Sequence, residues 1–343
     1  MSDFIPEHHR GPIREVLDAL DEASCVLLTT HVNADGDGTG CQCALASWLR
    51  SRGKEAWIVN PTPFPDDYRF LLPDASWSLD PDSARAGELA KKLDLAVVLD
   101  TGEAPRIGRV MRLIEDLPRV VVDHHPPGPE PISGVNYRDP GAAAAGELVF
   151  YLLKAAGGEI SREMALGLYV AILTDTGSFR FSNASPAAHR VVADLLESGI
   201  HPEEVYRQVY GNLPVRKLRL LEASLAHLEV DSSGALAWMT IPTEAYEAFS
   251  AAPDDLEGFV DYPREIEGVE VGILFREAAR GGTKVSFRSN GKVDVNALAR
   301  AFGGGGHVKA AGALVESPLP EVRERVLDAT RKAVRALRGE TGS

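Results

Sequence analysis

Four apolar stretches in this chain each end in a cluster of aspartate or histidine. They are VLLTTHVNADGDG at 26–38, LAVVLDTG at 95–102, VVVDHH at 120–125 and LYVAILTDTG at 168–177. One fold can bring the carboxyl ends of several buried parallel strands to a single crevice, so we expect five aspartates and three histidines to converge there. Carboxylates at that density need compensating cations, so the pattern predicts bound metal.

The first cluster has the residue types of a metal site that handles phosphate. His31, Asp35 and Asp37 lie in a glycine-punctuated loop directly after a predicted strand, where neighbouring side chains can turn toward one point. Carboxylates with one or two imidazoles suit Mn²⁺ or Mg²⁺, with Co²⁺ or iron as alternatives. Two such ions about 3.5 to 4 Å apart activate water and neutralise charge on a phosphoryl group, which favours hydrolysis of a phosphate ester.

Three other motif interpretations compete with this one. The loop imitates the start of an EF-hand, but Ala44 stands where a bidentate Glu is needed. DGDGT resembles the motif of haloacid-dehalogenase-type phosphatases, although residues 31–34 separate it from the strand. Asp100 and Asp175 open two DTG triplets, as in a two-lobed aspartic protease. Such proteases are built almost wholly of β structure, which the alanine-rich helices predicted here contradict.

A plain structural alternative applies to each site residue taken alone. Aspartates and histidines at the ends of strands and helices are commonly caps or turn formers. For Asp123, capping or support of a neighbour weighs equally with direct ligation. Coincidence would have to recur at all four stretches, so we favour a shared function for the set.

Composition restricts the class of protein and its partners. The net charge of −14 over 343 residues argues against broad adhesion to duplex DNA or to a membrane, and no run is long enough for a membrane span. A short single-stranded RNA or small nucleotide, held by a few placed cations, remains open. Three cysteines near the N-terminus form no disulfide framework, which favours a reducing cytoplasm. His8 and His9 are predicted to lie in an exposed terminal segment.

The pattern of apolar runs predicts two domains. Residues 13–199 alternate β-branched runs with helical stretches, which is typical of an α/β catalytic domain with a doubly wound, mainly parallel sheet. Its fourth apolar stretch, at 168–177, fits either a buried strand or a helix, because periodicity does not separate the two. A helical connector is predicted at 200–228, and its apolar faces leave a homodimer open. Residues 229–343 predict a smaller α+β domain.

The second domain carries candidate binding residues of its own. In TKVSFRS, Arg288 should point away from the core, where its planar guanidinium could grip phosphate. A glycine run permits positive φ and close approach, so its N–H groups could cradle a phosphate or carboxylate. The candidate substrate-binding residues are Arg288, Gly303, Gly304, Gly305, Gly306 and His307.

Together these motifs resemble the DHH phosphoesterase family, whose naming motif stands here as Asp123-His124-His125. THVNADGDG, VVLDTG, VVDHH and ILTDTGSFRFSN are similar to four family motifs in order, and SFRS and GGGGHVKAAG resemble the DHH-associated C-terminal domain. The resemblance covers almost the whole chain and implies an active site in the cleft between the two domains. Within the family, one DHH domain followed by its associated domain is similar to the NrnA-type enzymes.

The resemblance also implies a role for each site residue. Two Mn²⁺ ions would be held by carboxylates and imidazoles and would share one bridging aspartate. The first set is His31, Asp35 and Asp100, and the second is Asp37, Asp100, His124 and Asp175. His125 would contact the scissile phosphate, and Asp123 would support the motif. Arg288 and the glycine run with His307 would hold the far end of the substrate.

The implied activity is metal-dependent hydrolysis of very short oligoribonucleotides to mononucleotides, together with dephosphorylation of 3′-phosphoadenosine 5′-phosphate (pAp) to AMP. Two metal ions would activate the attacking water, with no side-chain nucleophile. A phosphodiesterase for cyclic di-AMP or pApA in nucleotide signalling is an alternative of the same class. A metal-dependent nucleotide-binding protein without turnover is an alternative of another class.

Overall fold

The computed structural model describes residues 5–256, 258–278 and 281–337. The chain divides into two compact units, Met1–Asn212 and Leu213–Ser343, each with its own sheet. The division falls within the predicted connector at 200–228, because helix Pro202–Tyr210 belongs to the first unit and helix Val215–Leu225 to the second. No helix within the described ranges combines the length and apolar character that a membrane span requires.

The first unit is a six-stranded sheet with helices packed against it. Its strands are β1 Cys25–Thr29, β2 Glu55–Val59, β3 Ser78–Leu79, β4 Leu95–Leu99, β5 Arg119–Asp123 and β6 Val135–Arg138. Its α-helices are α1 Glu7–Glu22, α2 Gly36–Ser51, α3 Ala84–Ala90, α4 Met111–Ile114, α5 Ala145–Ala155, α6 Arg162–Asp175, α7 Pro186–Leu196 and α8 Pro202–Tyr210. Short 3₁₀ segments lie at Asp66–Leu71, Ala75–Trp77 and Ala104–Val110.

Neighbouring strands of this sheet all pair in parallel, in the order β3-β2-β1-β4-β5-β6. β1 and β4 are buried along their whole length, which explains why their sequences are continuously apolar rather than alternating. The strand order changes direction between β1 and β4, so the segments leaving these strands diverge and leave a crevice at their carboxyl ends. The predicted doubly wound parallel sheet is confirmed.

The structure decides one local feature that the sequence left open and corrects another. The fourth apolar stretch belongs to helix α6, so its DTG triplet follows a helix and not a strand. It is apolar on nearly every side because α2, α5 and α7 all pack against α6. The loop predicted to hold Asp37 ends earlier than expected, because Asp35 caps α2 and Asp37 already lies in its first turn.

Glycines of both helices lie where α2 and α6 cross. A Cβ at Gly40 would lie 2.2 Å from the carbonyl oxygen of Gly167, and a Cβ at Gly167 would lie 2.6 Å from that of Gly40. One turn earlier, a Cβ at Gly36 would lie 2.4 Å from Oγ1 of Thr174. Backbone therefore packs against backbone at this crossing, which brings the first turn of α2 to the last turn of α6.

The second unit is built on a mixed sheet of six strands. Its strands are β7 Leu228–Val230, β8 Leu236–Thr240, β9 Val271–Glu277, β10 Thr283–Ser289, β11 Gly305–His307 and β12 Ala310–Val315. Its α-helices are α9 Val215–Leu225, α10 Thr243–Ala248, α11 Asp261–Arg264, α12 Val295–Arg300 and α13 Leu319–Leu337, with a 3₁₀ segment at Pro253–Leu256. The order is β11-β12-β10-β9-β8-β7, with β8 and β9 parallel and the other neighbours antiparallel.

Alternation along β10 sets the two faces of this second sheet. Val285 and Phe287 are fully buried and share a core with Val295 of α12 and Val326 of α13. Arg288 lies on the opposite face and is partly exposed, as its position in the alternation predicts. The predicted α+β class of this unit is confirmed.

The prediction of an exposed terminal segment is confirmed for His8 and wrong for His9. His8 is exposed, but His9 lies in the first turn of α1 with only 4% of its surface exposed. Its ring lies against Tyr137 and Tyr151, with ring centroids 5.6 and 5.1 Å away. Both tyrosines are more than 120 residues distant in sequence, so local pattern could not reveal this burial.

Gly40→Ala tests the contact between α2 and α6. The added methyl group would have to displace the carbonyl of Gly167, so we expect the free energy of unfolding to fall by about 1–3 kcal/mol. Urea denaturation measures this change. Gly87→Ala in α3 is the matched control, because open space surrounds Gly87 and alanine should raise stability by up to about 1 kcal/mol. Parental stability in Gly40→Ala would contradict the backbone contact.

Candidate functional site

The predicted site residues of the first unit meet at the carboxyl edge of its sheet. They come from the segment after β1, the first turn of α2, the segment from the end of β4, the end of β5 and the end of α6. They are His31, Asp35, Asp37, Asp100, Asp123, His124, His125 and Asp175. Ligand atoms lie within 4.8 Å of one another in three groups: His31, Asp35 and Asp100; Asp37, His124 and Asp175; and Asp100, His124 and His125.

The first group is arranged around the imidazole of His31. Its Nε2 lies 3.2 Å from Oδ2 of Asp100 and 3.5 Å from Oδ2 of Asp35. Its Nδ1 lies 2.9 Å from the carbonyl oxygen of Val32, which can accept the Nδ1–H. That hydrogen bond would place the lone pair on Nε2, facing the carboxylates, which is the arrangement a metal-binding histidine needs.

The second group is arranged around the imidazole of His124. Its Nε2 lies 3.4 Å from Oδ1 of Asp100, 3.6 Å from Oδ2 of Asp175 and 3.7 Å from Oδ2 of Asp37. Asp100 therefore directs one carboxylate oxygen toward each group, since its Oδ2 lies beside His31. It follows β4 at the point where the strand order changes direction and has a φ of 59°.

Asp37 is held by the N-terminus of α5, a contact that the sequence motifs did not indicate. Its Oδ2 accepts from the N–H of Ala145 at 2.7 Å, and its Oδ1 accepts from that of Gly146 at 2.9 Å. These are the first residues of α5, so the partial positive charge of that helix end lies against the carboxylate. The thiol of Cys41 adds a weak contact at 3.4 Å. The run of small residues before Glu147 was the only feature of the sequence that pointed to this close contact.

Asp35 shows that capping and ligation do not exclude each other. Its Oδ1 accepts from the N–H groups of Asp37 and Gly38, both at 3.1 Å, which caps α2. Its Oδ2 lies beside His31. One carboxylate therefore begins the helix with one oxygen and faces the first group with the other.

Asp123 lies behind the two motif histidines and outside the three groups of candidate ligands. Its Oδ1 accepts from the backbone N–H of His125 at 3.0 Å and lies 2.8 Å from Nδ1 of the same ring. Its Oδ2 lies 3.4 Å from Nη2 of Arg138, a residue that sequence reasoning missed. Residue 102 is glycine, and a Cβ there would lie 1.6 Å from that nitrogen, so any side chain would have to shift the guanidinium. This geometry favours the supporting role for Asp123.

Charge in this cluster is balanced by protons when no metal ion is bound. Burial favours neutral imidazoles, but the close negative charge of the aspartates outweighs it and raises the pKa of His31 and of His124 to about 10. Although burial opposes its ionisation, Asp100 has a pKa well below the usual range because His124 and His31 flank it. Burial raises the pKa of Asp175 to about 6 and also raises that of Asp37.

The donor atoms present fit divalent metal ions. Oδ1 of Asp100 and Nε2 of His124 are buried and have no hydrogen-bond partner within the described ranges. Buried polar atoms normally have partners, so two such atoms facing each other at the centre of a carboxylate cluster fit a bound cation. Carboxylates with imidazoles and without a thiolate ligand suit Mn²⁺, Mg²⁺ or Co²⁺ better than a structural zinc.

The candidate residues of the second unit form one row across its sheet. Arg288 of β10 and His307 of β11 both pair with Ala310 of β12, so their side chains lie on the same face, two strands apart. Nη1 of Arg288 donates to the carbonyl of Phe287 at 3.1 Å, and its Nε lies 3.8 Å from Oδ1 of Asp261.

The glycine run differs from the open cradle that was predicted. The N–H groups of Gly303 and Gly304 donate to the carbonyls of Arg300 and Ala299, which ends α12, so they serve the helix and not a ligand. Gly305, Gly306 and His307 form β11, and the absence of a Cβ allows β12 to approach. A Cβ at Gly306 would lie 2.5 Å from the carbonyl oxygen of Ala310.

Comparison with known proteins decides the family. The sequence matches the DHH family, N-terminal domain, over residues 25–172 and the DHHA1 domain over residues 241–336. It is 33% identical to the bifunctional oligoribonuclease and PAP phosphatase NrnA of Thermus thermophilus, over 93% of each chain. The chain belongs to the DHH family. The DHH match contains the candidate residues from His31 to His125, and the DHHA1 match contains Arg288 and His307.

Two further similarities cover most of this DHH-family chain. The bifunctional oligoribonuclease and PAP phosphatase NrnA of Bacillus subtilis is 28% identical over 88% of this chain and 93% of its own length. The crystal structure of an exopolyphosphatase-related protein from Bacteroides fragilis has a TM-score of 0.90 at 28% identity, covering 96% of this chain and 98% of that chain.

Gly102→Ala tests the support of the DHH motif by Arg138. Its Cβ would displace the guanidinium from Asp123, so His125 would lose its fixed orientation. We expect phosphodiester turnover to fall roughly 10–100-fold while the number of bound metal ions stays unchanged. Steady-state kinetics and elemental analysis measure the two quantities. Gly87→Ala is again the control, and parental turnover in Gly102→Ala would show that Arg138 does not support the motif.

Metal addition should release protons from this cluster. With a pKa of about 10, His31 and His124 are protonated at pH 7.5 and must become neutral to bind an ion, so at least about two protons should leave. Apparent metal affinity should therefore rise with pH between about 6 and 9. Calorimetry of Mn²⁺ binding in buffers of different ionisation enthalpy measures the release. His31→Gln should release about one proton fewer, and His201→Gln, at an exposed position, should match the parent. A buffer-independent heat would contradict the charge balance.

Proposed function

We propose that this chain degrades very short oligoribonucleotides to mononucleotides and dephosphorylates pAp to AMP, as a metal-dependent phosphohydrolase. Its DHH and DHHA1 domains support a phosphoesterase. Its relatives in Thermus thermophilus and Bacillus subtilis, each similar over most of both chains, are named bifunctional oligoribonuclease and PAP phosphatase.

The position of Asp100 carries the proposal. Its carboxylate lies between two groups of ligand atoms, with one oxygen beside His31 and the other beside His124. A carboxylate shared in this way suits a pair of divalent ions held close together, which is the arrangement used for phosphate-ester hydrolysis. A single structural ion would not need a second ligand set.

The groups of ligand atoms in the structure support two ligand sets. His31, Asp35 and Asp100 would hold one ion, and Asp37, Asp100, His124 and Asp175 would hold the other. We propose Mn²⁺ as the preferred ion, with Mg²⁺ or Co²⁺ as alternatives. When bound, such a pair supplies Lewis acidity to the phosphoryl group and acidifies water. The contribution of the chain is orientation, because Val32 fixes the His31 ring and the α5 N-terminus fixes Asp37.

His125 is the proposed phosphate contact. Its side chain is 24% exposed, against 12% for His124, so substrate can reach the second motif histidine more easily than the first. Asp123 accepts from its backbone N–H and lies at hydrogen-bond distance from its ring, which sets the direction of the imidazole. A protonated His125 could donate to a phosphoryl oxygen from that position.

The proposal also includes the size of the substrate and the cellular compartment of the protein. The net charge of −14 disfavours long or duplex nucleic acid, so a short strand or single nucleotide held by local cations is proposed. The roles of Arg288 and His307 in holding its far end stay predictions, as does a homodimer. Among the described residues the three cysteines are free and buried, which supports a reducing compartment such as the cytoplasm.

Asp100→Ala tests the shared carboxylate. Both ligand sets lose a member, so we expect turnover of pAp and of di- to pentaribonucleotides with Mn²⁺ to fall at least about a hundredfold, measured by product release. Asp116→Ala is the matched control, because Asp116 is exposed in the same unit. Unchanged turnover in Asp100→Ala would reject the two-ion arrangement.

A substrate panel with the parent protein separates the remaining alternatives. Short RNA, short DNA, pAp, pApA and cyclic di-AMP are compared at equal Mn²⁺. Rapid hydrolysis of pAp and short RNA supports the proposal. Hydrolysis restricted to pApA or cyclic di-AMP would replace it with the signalling phosphodiesterase, and tight binding without hydrolysis would replace it with the binding protein.

A further inference from the structure

A second cluster of metal-binding side chains lies at the start of α1. Nε2 of His8 and Nε2 of His9 lie 3.3 and 3.5 Å from the same oxygen, Oδ2 of Asp139. One ligand atom from each of these residues lies within 4.8 Å of the others. None of the three belongs to the ligand sets proposed for hydrolysis.

The spacing of these atoms is that of ligands around one zinc ion. Donor atoms at 2.0–2.1 Å from a tetrahedral Zn²⁺ lie about 3.3 Å apart. The same spacing occurs in the group around His31, where Nε2 lies 3.2 and 3.5 Å from two carboxylates. Two imidazoles with one carboxylate form a set that suits zinc and leaves a fourth position for water.

The surrounding residues hold each ligand in place. The hydroxyl of Tyr137 lies 3.1 Å from Nδ1 of His9 and can accept its Nδ1–H, which would leave the lone pair on Nε2. Oδ1 of Asp139 accepts from the N–H of Gly141 at 2.7 Å, so Oδ2 is the oxygen that faces the imidazoles. The side chain of His8 is 67% exposed, which provides a path of entry for an ion.

We propose that His8, His9 and Asp139 bind one Zn²⁺ ion that fastens the first turn of α1 to the segment following β6. The ion is independent of the ions proposed for hydrolysis. Because it joins residues about 130 positions apart in sequence, its binding stabilises the folded first unit.

Counting zinc ions tests the site. Metal-free full-length protein is dialysed against buffered free Zn²⁺, and zinc per chain is measured by elemental analysis. His8→Ala should bind one Zn²⁺ fewer than the parent at saturation of the parent. Because His8 is exposed, this variant should keep the fold, and circular dichroism checks that it does. His201→Ala, which also removes one exposed histidine of the first unit, should bind as many ions as the parent.

Two further measurements distinguish this zinc site from the site proposed for hydrolysis. Zinc should raise the melting temperature of the parent and of His201→Ala more than that of His8→Ala, and Asp139→Asn should behave like His8→Ala. Turnover of short RNA with Mn²⁺ should be the same in His8→Ala and the parent. Equal zinc content in His8→Ala and the parent would overturn the proposal, whatever the substrate panel shows.

Discussion

The buried carboxylate of Asp100 is the group on which the site depends. It is 2% exposed, and a buried negative charge costs several kcal/mol unless positive charge lies close to it. His31 and His124 provide that charge from opposite sides, and each of them also faces a further aspartate. Without Asp100, His31 would still face Asp35 and His124 would still face Asp175, but both imidazoles would lose the carboxylate that lies between them. The same balance of charge explains why these side chains suit a bound cation. It also explains why, without a cation, the pKa values of both histidines are high.

Glycine determines how closely the elements that carry these groups can approach. Gly40 and Gly167 let α2 and α6 touch through their backbones, and Gly36 removes a side chain that would meet Thr174. Gly102 leaves room for Arg138, and Gly146 lets α5 present its N–H groups to Asp37, where a Cβ would meet Ala171 at 2.6 Å. The aspartates and histidines supply the chemistry, but without these glycines the ligand sets would be pushed apart.

Two histidine clusters in one unit show how environment sets protonation. Around Asp100, several carboxylates surround each imidazole and raise its pKa to about 10. Around Asp139, one carboxylate faces two imidazoles, one of them buried among aromatic rings, and the pKa of His9 falls. The ratio of carboxylates to imidazoles and the depth of burial, rather than residue type, decide which ring carries a proton.

The sequence alone predicts the parallel sheet, the α+β second unit and the convergence of the acidic motifs, because continuous β-branched runs and motif order are local properties of the chain. It could not decide whether residues 168–177 form a strand or a helix, since a fully buried helix such as α6 is apolar on nearly every side. Nor could it reveal the burial of His9 by Tyr137 and Tyr151, or the reach of Arg138 to Asp123. The glycine run likewise forms a helix end and a strand. Its first N–H groups donate to carbonyls of α12, and the absence of side chains lets its last residues pair with β12. Those features depend on contacts between residues distant in sequence, and only the tertiary structure brings such residues together.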